Sequence, residues 1–213
     1  MLIDSEFVHV YSFDFSRAFN TVRHSTLTSK LAQLELRDNI YNWAVDFIDN
    51  HDHCTNYAGQ VSAVAAIQAS IIQGSAIGPA SYVVTAADLH PVHDRNRIFK
   101  FADDTYLVVP GVNTDTYQEE IDHVQTWAAD NNPKLNRNKT KEIVSSSRLE
   151  GALALAPPRP DIQRVTSLRV LGVIVNDKLM AADHVTMLLS SCSSLLMRCW
   201  CCARTAGADY VAT

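Results

Sequence analysis

Two adjacent carboxylates, Asp103 and Asp104, are bracketed by runs fit for strands: Ile98-Phe99-Lys100-Phe101 before them and Tyr106-Leu107-Val108-Val109 after. The pattern predicts a hairpin over about 97–109 with both acids at its tip. Like charges placed together repel and raise each other's pKa. A divalent cation removes that penalty, and Mg²⁺ prefers oxygen ligands of this kind. Asp is also a favoured turn residue, so the pair alone reads as an ordinary turn. Chemistry elsewhere in the chain has to decide.

A second acid stands in a comparable place. Val8 to Phe15 alternates as a strand should, with Tyr11, Phe13 and Phe15 on one face and Val8, Val10, Ser12 and Asp14 on the other. Asp14 therefore ends a strand, about ninety residues before the Asp-Asp pair. If the two strands pair, all three carboxylates converge on one metal site.

The intervening and following segments alternate helix and strand signals. Ser25 is a candidate cap for a helix carrying Leu27, Leu31 and Leu34. Asp38 is one for a helix turning Ile40, Trp43, Phe47 and Ile48 inward. Residues 53–72 suggest a hairpin turning near Gly59, and Pro79 suits the first turn of a helix running to about Leu89. Thr116 and Glu119 form a candidate capping box for a helix with Tyr117, Ile121, Val124 and Ala128 on one face, ending at Asn131-Asn132-Pro133. Strands are expected at Glu142–Ser146 and Leu168–Val175, separated by a loop that includes residues 156–160. Val185, Leu188, Leu189, Cys192, Leu195, Leu196 and Cys199 then fall at helical spacing. This order mixes sheet and helix in the manner of an α+β domain.

Composition narrows the class of protein. The chain has 213 residues, enough for one domain, or one domain with an appendage, around a real core. Its first residues lack the basic n-region and apolar stretch of a signal peptide. No uninterrupted apolar run approaches the roughly 20 residues of a membrane span. The expectation is a soluble intracellular protein, of cytoplasm or nucleus, with no membrane partner. Four of the five cysteines (Cys192, Cys199, Cys201, Cys202) share one helical segment without paired zinc spacing, so neither a metal site nor a disulfide is expected of them. The formal net charge of −5 argues mildly against a nucleic-acid ligand. Its distribution softens that objection: from Lys134 to Lys178 there are nine Lys or Arg against Glu142, Glu150, Asp161 and Asp177. A basic stretch beside an acidic site suits a phosphate-rich ligand.

Five motifs in order carry a family resemblance. Phe13-Asp-Phe-Ser-Arg-Ala-Phe-Asn-Thr-Val22, followed by His24, comes first, and Gln73-Gly-Ser-Ala-Ile-Gly-Pro79 second. Phe101-Ala-Asp-Asp104 is the third. Trp127 with Leu135-Asn-Arg-Asn-Lys-Thr140, and Leu171-Gly-Val-Ile-Val-Asn-Asp-Lys-Leu179, complete the set. Together they resemble the palm of reverse transcriptases, most closely that of non-LTR (LINE-like) retrotransposons. The resemblance implies an α+β palm over residues 1–180, with a central antiparallel sheet backed by helices, and a helical segment over 181–213 as the start of a thumb. It implies RNA-directed DNA polymerase activity with an RNA template, a DNA primer and a dNTP.

The resemblance also implies roles. Asp14 and Asp103 would ligate two Mg²⁺ (or Mn²⁺) ions, with Asp104 assisting and the Phe15 carbonyl completing one site. One ion would activate the primer 3′-hydroxyl and the other would stabilise departing pyrophosphate. Phe19 would crowd the sugar 2′ position and favour deoxynucleotides. Gln73 and Gly74 would line the nucleotide pocket, the glycine permitting close backbone approach. Lys139 would protonate the pyrophosphate or neutralise its charge. Trp127 suits a core anchor better than a base-stacking platform.

The chain also departs from the family pattern. The first motif lies about a dozen residues after Met1, where a fingers subdomain precedes it in the family. Ser70 stands where the family usually has glycine, before Ile71-Ile72-Gln73. The expectation is a truncated palm that keeps weak metal affinity, with processive synthesis by this chain alone not expected. A catalytically inactive retroelement remnant is the alternative. An RNA-dependent RNA polymerase fits less well, because that family usually has a second aspartate in the first motif where this chain has Phe19.

Overall fold

A computed structural model describes residues 5–49, 52–67, 69–71, 74–146, 158 and 162–208, with side chains described as far as Cys202. Gln73 and most of the predicted loop at 156–160 lie outside the described residues.

The chain opens with β1 (Phe7–Phe13), breaks at Asp14 and resumes as β2 (Phe15–Ser16). Three helices follow: α1 (Ala18–Thr21), α2 (His24–Leu31) and α3 (Asp38–Ile48). Next come four two-residue strands, β3 (Asp52–His53), β4 (Asn56–Tyr57), β5 (Gln60–Val61) and β6 (Ala65–Ala66), then α4 (Gly78–Thr85). A hairpin of β7 (Arg97–Phe101) and β8 (Asp104–Pro110) leads through a 3₁₀ turn into α5 (Tyr117–Asn131). Then follow β9 (Lys134–Leu135), a 3₁₀ turn at Arg137–Lys139, β10 (Lys141–Ser146) and β11 (Gln163–Val165). A second hairpin, β12 (Ser167–Val170) with β13 (Val173–Asn176), precedes α6 (Ala182–Ala208).

The central sheet has the order β11-β10-β1-β8-β7, antiparallel except for the parallel β10–β11 pair. Its alternation fixes what each face buries. Tyr11, Phe13, Leu107 and Val109 join Leu27, Leu31, Tyr82, Ile121, Val124 and Trp127 in the main core beneath the helices. The opposite face carries a smaller cluster of Tyr106, Ile143 and Leu168, covered by the β12–β13 hairpin. A one-residue slip of β1 would turn its apolar set outward, so burial specifies the register.

Polar groups secure the layers. Lys100 on β7 donates to the carbonyls of Ala86 (2.6 Å) and Leu89 (2.9 Å) just past the end of α4, where the helix dipole favours a cation. Glu120 on α5 is fully buried and accepts from the backbone N–H groups of Val92 and His93 and from Asn96, holding the loop before β7. His9, Tyr11 and Arg164 all donate to Glu142, which ties β1, β10 and β11 together.

Several expectations need correction. The segment Leu168–Val175 is a tight hairpin, because Leu171 (φ 47°) and Gly172 (φ 88°) both take the left-handed conformation. Ile40 and Trp43 of α3 are exposed while Ala44 and Ile48 are buried, and Trp43 stacks on Phe47 (5.8 Å) instead of entering the core. Leu34 lies beyond α2 and is exposed. Neither Ser25 nor Asp38 caps a helix: α2 starts one residue earlier, at His24, and Asp38 is the first residue of α3. Thr116 precedes α5 but makes no cap hydrogen bond; its hydroxyl donates to Asn113, and Glu119 pairs with His93.

Helix α6 stands apart from the core. Its apolar residues are exposed, Leu196 by 71%, and over Ala182–Cys202 it is long and apolar enough to cross a membrane by length and composition alone. Ser, Cys and Ala spread that character through the helix without the uninterrupted run sought in the sequence.

Candidate active site

The predicted strand pairing is present. β1 and β8 are antiparallel neighbours, and their register runs from Val8–Pro110 to Phe13–Thr105. One step further along both strands sets Asp14 beside Asp104, on the sheet face of Ser12 and Tyr106. The hairpin places Asp103 next to them, because Phe101 pairs with Asp104 and leaves a two-residue turn, Ala102-Asp103. Ala102 holds φ 51°, a strained value for a non-glycine residue.

Asp104 senses the other two charges. The Asp104 carboxyl is raised above the ordinary aspartate value by partial burial, then by the charges of Asp103 and Asp14. On the other side of the turn, burial and the Asp103 charge push the Tyr82 phenol upward. No side-chain carboxylate of the three has a hydrogen-bond or ion-pair partner among the described residues. Among those residues, no group of three or more His, Cys, Asp or Glu side chains is gathered tightly enough to enclose an ion unaided. That suits magnesium, which keeps several waters and takes one or two carboxylates plus substrate phosphates instead of an all-protein cage. The donor set of hard, unpaired carboxylates therefore fits a divalent cation.

The other predicted residues surround this point unequally. The Phe15 side chain is buried edge-on against Trp127 (5.9 Å), which leaves only its main chain to the site. Phe19 stacks on Tyr82 with centroids 4.7 Å apart, so its ring is fixed from behind. Gly74 holds φ 83°, and nothing lies within 4 Å of where a Cβ would stand. Backbone conformation, not crowding, calls for glycine there. Lys139 is exposed at the end of its 3₁₀ turn. That turn is bound to the site through the Asn136 N–H, which donates to the Asp14 carbonyl (2.8 Å), and through the β2–β9 pairing. Trp127 is a core residue whose Nε1–H donates to Asp88 (2.9 Å).

The family profile "Reverse transcriptase (RNA-dependent DNA polymerase)" matches residues 4–175. The chain belongs to the reverse transcriptase family. The RNA-directed DNA polymerase from mobile element jockey of Drosophila melanogaster is 26% identical over 185 residues, covering 81% of this chain and 20% of that protein. The putative 115 kDa protein of the type-1 retrotransposable element R1DM, from the same species, is 27% identical over 184 residues, covering 82% of this chain and 17% of its own length. Both relatives belong to retrotransposon-type mobile elements, and the chain spans about a fifth of their length. Among solved structures, telomerase from Candida tropicalis in complex with a fragment of telomeric RNA superposes with a TM-score of 0.59 at 12% identity, over 83% of this chain and 29% of that one. The same enzyme without RNA gives 0.56 at 14% identity, over 82% and 32%. That likeness shows the fold alone.

Two features were not read from the sequence. Tyr82 bridges Phe19 and the aspartate turn, and its place one turn after Pro79 was the available signal. The other is a cationic groove beside β2 and β9, lined by Arg17, Lys134 and Arg137.

Proposed function

We propose that this domain is the palm of an RNA-directed DNA polymerase that adds deoxynucleotides to a primer 3′-hydroxyl on an RNA template. The observation that carries the reading is the β1–β8 register, which sets Asp14 beside Asp104 with Asp103 at the adjoining turn. Asp14, Asp103 and Asp104 would hold two divalent cations, Mg²⁺ or Mn²⁺, with the main chain at Phe15. When bound, the cations supply charge neutralisation for in-line phosphoryl transfer.

The chain's own residues do the positioning. The Phe19 ring, braced on Tyr82, limits the space beside the sugar 2′ carbon and so favours deoxyribose. Gly74 keeps the loop face open to the nucleotide, and the family resemblance implies Gln73 as its partner in that role. Lys139 carries a proton and a positive charge to the departing diphosphate. Helix α6 is the start of a thumb. The similarity to the RNA-directed DNA polymerase of mobile element jockey supports an RNA template as the ligand class.

Primer extension on an RNA template tests the reading. Incorporation of dNTP that is lost in Asp103→Asn is the expected result. Incorporation unaffected by that change refutes the site, and no incorporation by the wild-type chain under Mg²⁺ or Mn²⁺ favours the inactive-remnant alternative. Phe19→Ala is expected to admit ribonucleotides, read as a lower ratio of dNTP to NTP incorporation.

A further inference from the structure

The strand that leads into the aspartate turn is held by less than the rest of the sheet. β7 is an edge strand, and among the described residues it pairs only with β8. Phe99 and Phe101 are exposed along it and anchor little. Alternation sends Ile98 and Lys100 to the other face, where Ile98 packs against the main core. Lys100 is therefore the last residue on that face before the Ala102-Asp103 turn.

Its Nζ spans to α4, donating to the carbonyls of Ala86 (2.6 Å) and Leu89 (2.9 Å). Carbonyls at a helix end lack intrahelical partners and favour a cation. Lys30 of α2 grips the same end, donating to the Thr85 carbonyl (2.5 Å) and to Asp88 (2.7 Å). It also lies over the Trp127 ring, and none of these partners belongs to the hairpin. Partial burial lowers the Lys100 pKa, the Asp88 charge opposes that, and the Lys30 charge adds to it. From this helix end the path to Phe19 is short. The Ala86 N–H donates to the Tyr82 carbonyl (3.0 Å), and the Tyr82 ring stacks on Phe19 (4.7 Å). One helix thus carries the brace for Phe19, and Lys100 ties that helix to the strand that ends at the aspartates.

We infer that Lys100 is a positioning residue: by fastening β7 to the end of α4, it sets the spacing between the Asp103-Asp104 turn and the Tyr82–Phe19 stack. The inference rests on the polymerase reading above, in which both sides of that spacing meet the same nucleotide. Misplacement by about 1 Å can cost such a reaction on the order of 10²-fold in rate.

Steady-state primer extension on an RNA template compares the wild-type chain with Lys100→Met, Lys100→Gln and Glu142→Gln, at a temperature where thermal melting shows each to be folded. Lys100→Met is expected to lower kcat about ten-fold with the KM for dNTP within about two-fold, the pattern of lost alignment and not of lost binding. Lys100→Gln keeps a shorter donor and should lose less; it carries the same readings if Lys100→Met does not fold. Glu142→Gln weakens the sheet on β10, away from the turn, and should hold kcat within about two-fold. The Asp104 titration midpoint by carbon-13 NMR adds a readout independent of catalysis. A loosened turn lets the three carboxyls draw apart, so the midpoint falls, whereas bare removal of a nearby cation would raise it. An unchanged kcat in Lys100→Met, an equal loss in Glu142→Gln, or an Asp104 midpoint that rises or stays overturns the assignment. Absence of extension by the wild-type chain counts against the polymerase reading instead, and the Asp104 midpoint still decides the tether.

Discussion

Ser70 holds φ 120°, a conformation that side-chain-bearing residues rarely adopt, at the position where the family resemblance calls for glycine. Its neighbours do not allow it to relax. The Ser70 N–H donates to the Val22 carbonyl (2.9 Å), the next N–H, of Ile71, donates to Phe19 (2.8 Å), and His24 Nε2 donates to the Ser70 carbonyl (2.9 Å). A residue so held costs ~1–3 kcal/mol. Ser70→Gly removes that strain, while the freer unfolded chain takes back ~0.4–1 kcal/mol. The lost hydroxyl contact to the Ile71 carbonyl, at 3.3 Å, is too long to matter much. The net expectation is a gain of about 0.5–2 kcal/mol, which in a domain of this size raises Tm by roughly 2–6 °C. Ser70→Ala keeps the strained backbone and should lie within about 0.5 kcal/mol of wild type. Urea denaturation followed by tryptophan fluorescence measures both, with an unchanged m-value showing that only stability moved. A glycine variant no more stable than wild type, or an alanine variant that gains as much, refutes the strain argument.

Three other perturbations follow from the same geometry. Lys100→Met strips the donor from the Ala86 and Leu89 carbonyls and should cost about 1–3 kcal/mol by chemical denaturation, because both acceptors lose their partner. Glu142 is opposed by burial, but hydrogen bonds and charge from His9 and Arg164 win and hold its carboxyl down from 4.5 to about 2. Its contribution, on the order of 3 kcal/mol at most, is therefore present above about pH 4.5 and is lost as pH falls towards 2; in urea midpoints, the gap between wild type and Glu142→Gln should close across that window, and a constant gap would refute the ion-pair assignment. Asp103→Asn removes a neighbouring negative charge and should lower the Asp104 titration midpoint measured by carbon-13 NMR; an unmoved midpoint would mean that the two carboxyls do not interact.

The site's frame was legible because it depends on alternation. Tyr11, Phe13 and Phe15 must share the buried face, which puts Asp14 on the other, and the same parity in Thr105, Leu107 and Val109 sets the partner register. The helix α5 stripe was legible for the same reason, since Tyr117, Ile121, Val124 and Ala128 are all buried. Less was visible where periodicity names a face but not its cover. Trp43 and Ile40 lie on the apolar side of α3, yet the core reaches only Ala44 and Ile48. The β12–β13 turn was hidden because Leu171 gives no sign that it will take a positive φ beside Gly172.

Strain at the site follows a pattern that no residue count reveals. Arg17 (φ 53°), Ser70 (φ 120°) and Ala102 (φ 51°) all carry side chains in the left-handed half of conformational space, and Gly74 joins them at 83°. Each lies in or beside one of the sequence motifs: Arg17 follows the first aspartate by three residues, Ser70 stands just before the second motif and Gly74 within it, and Ala102 precedes Asp103. Hairpin turns elsewhere, such as Ala58-Gly59, take positive φ because the strand twist demands it. At Ser70 the conformation is held instead by main-chain bonds to a neighbouring segment, Ser70 to Val22 (2.9 Å) and Ile71 to Phe19 (2.8 Å). Such strain persists only where the surroundings over-determine it. At Ser70 those surroundings are the Val22 and Phe19 carbonyls, which fix the backbone between the first and second motifs.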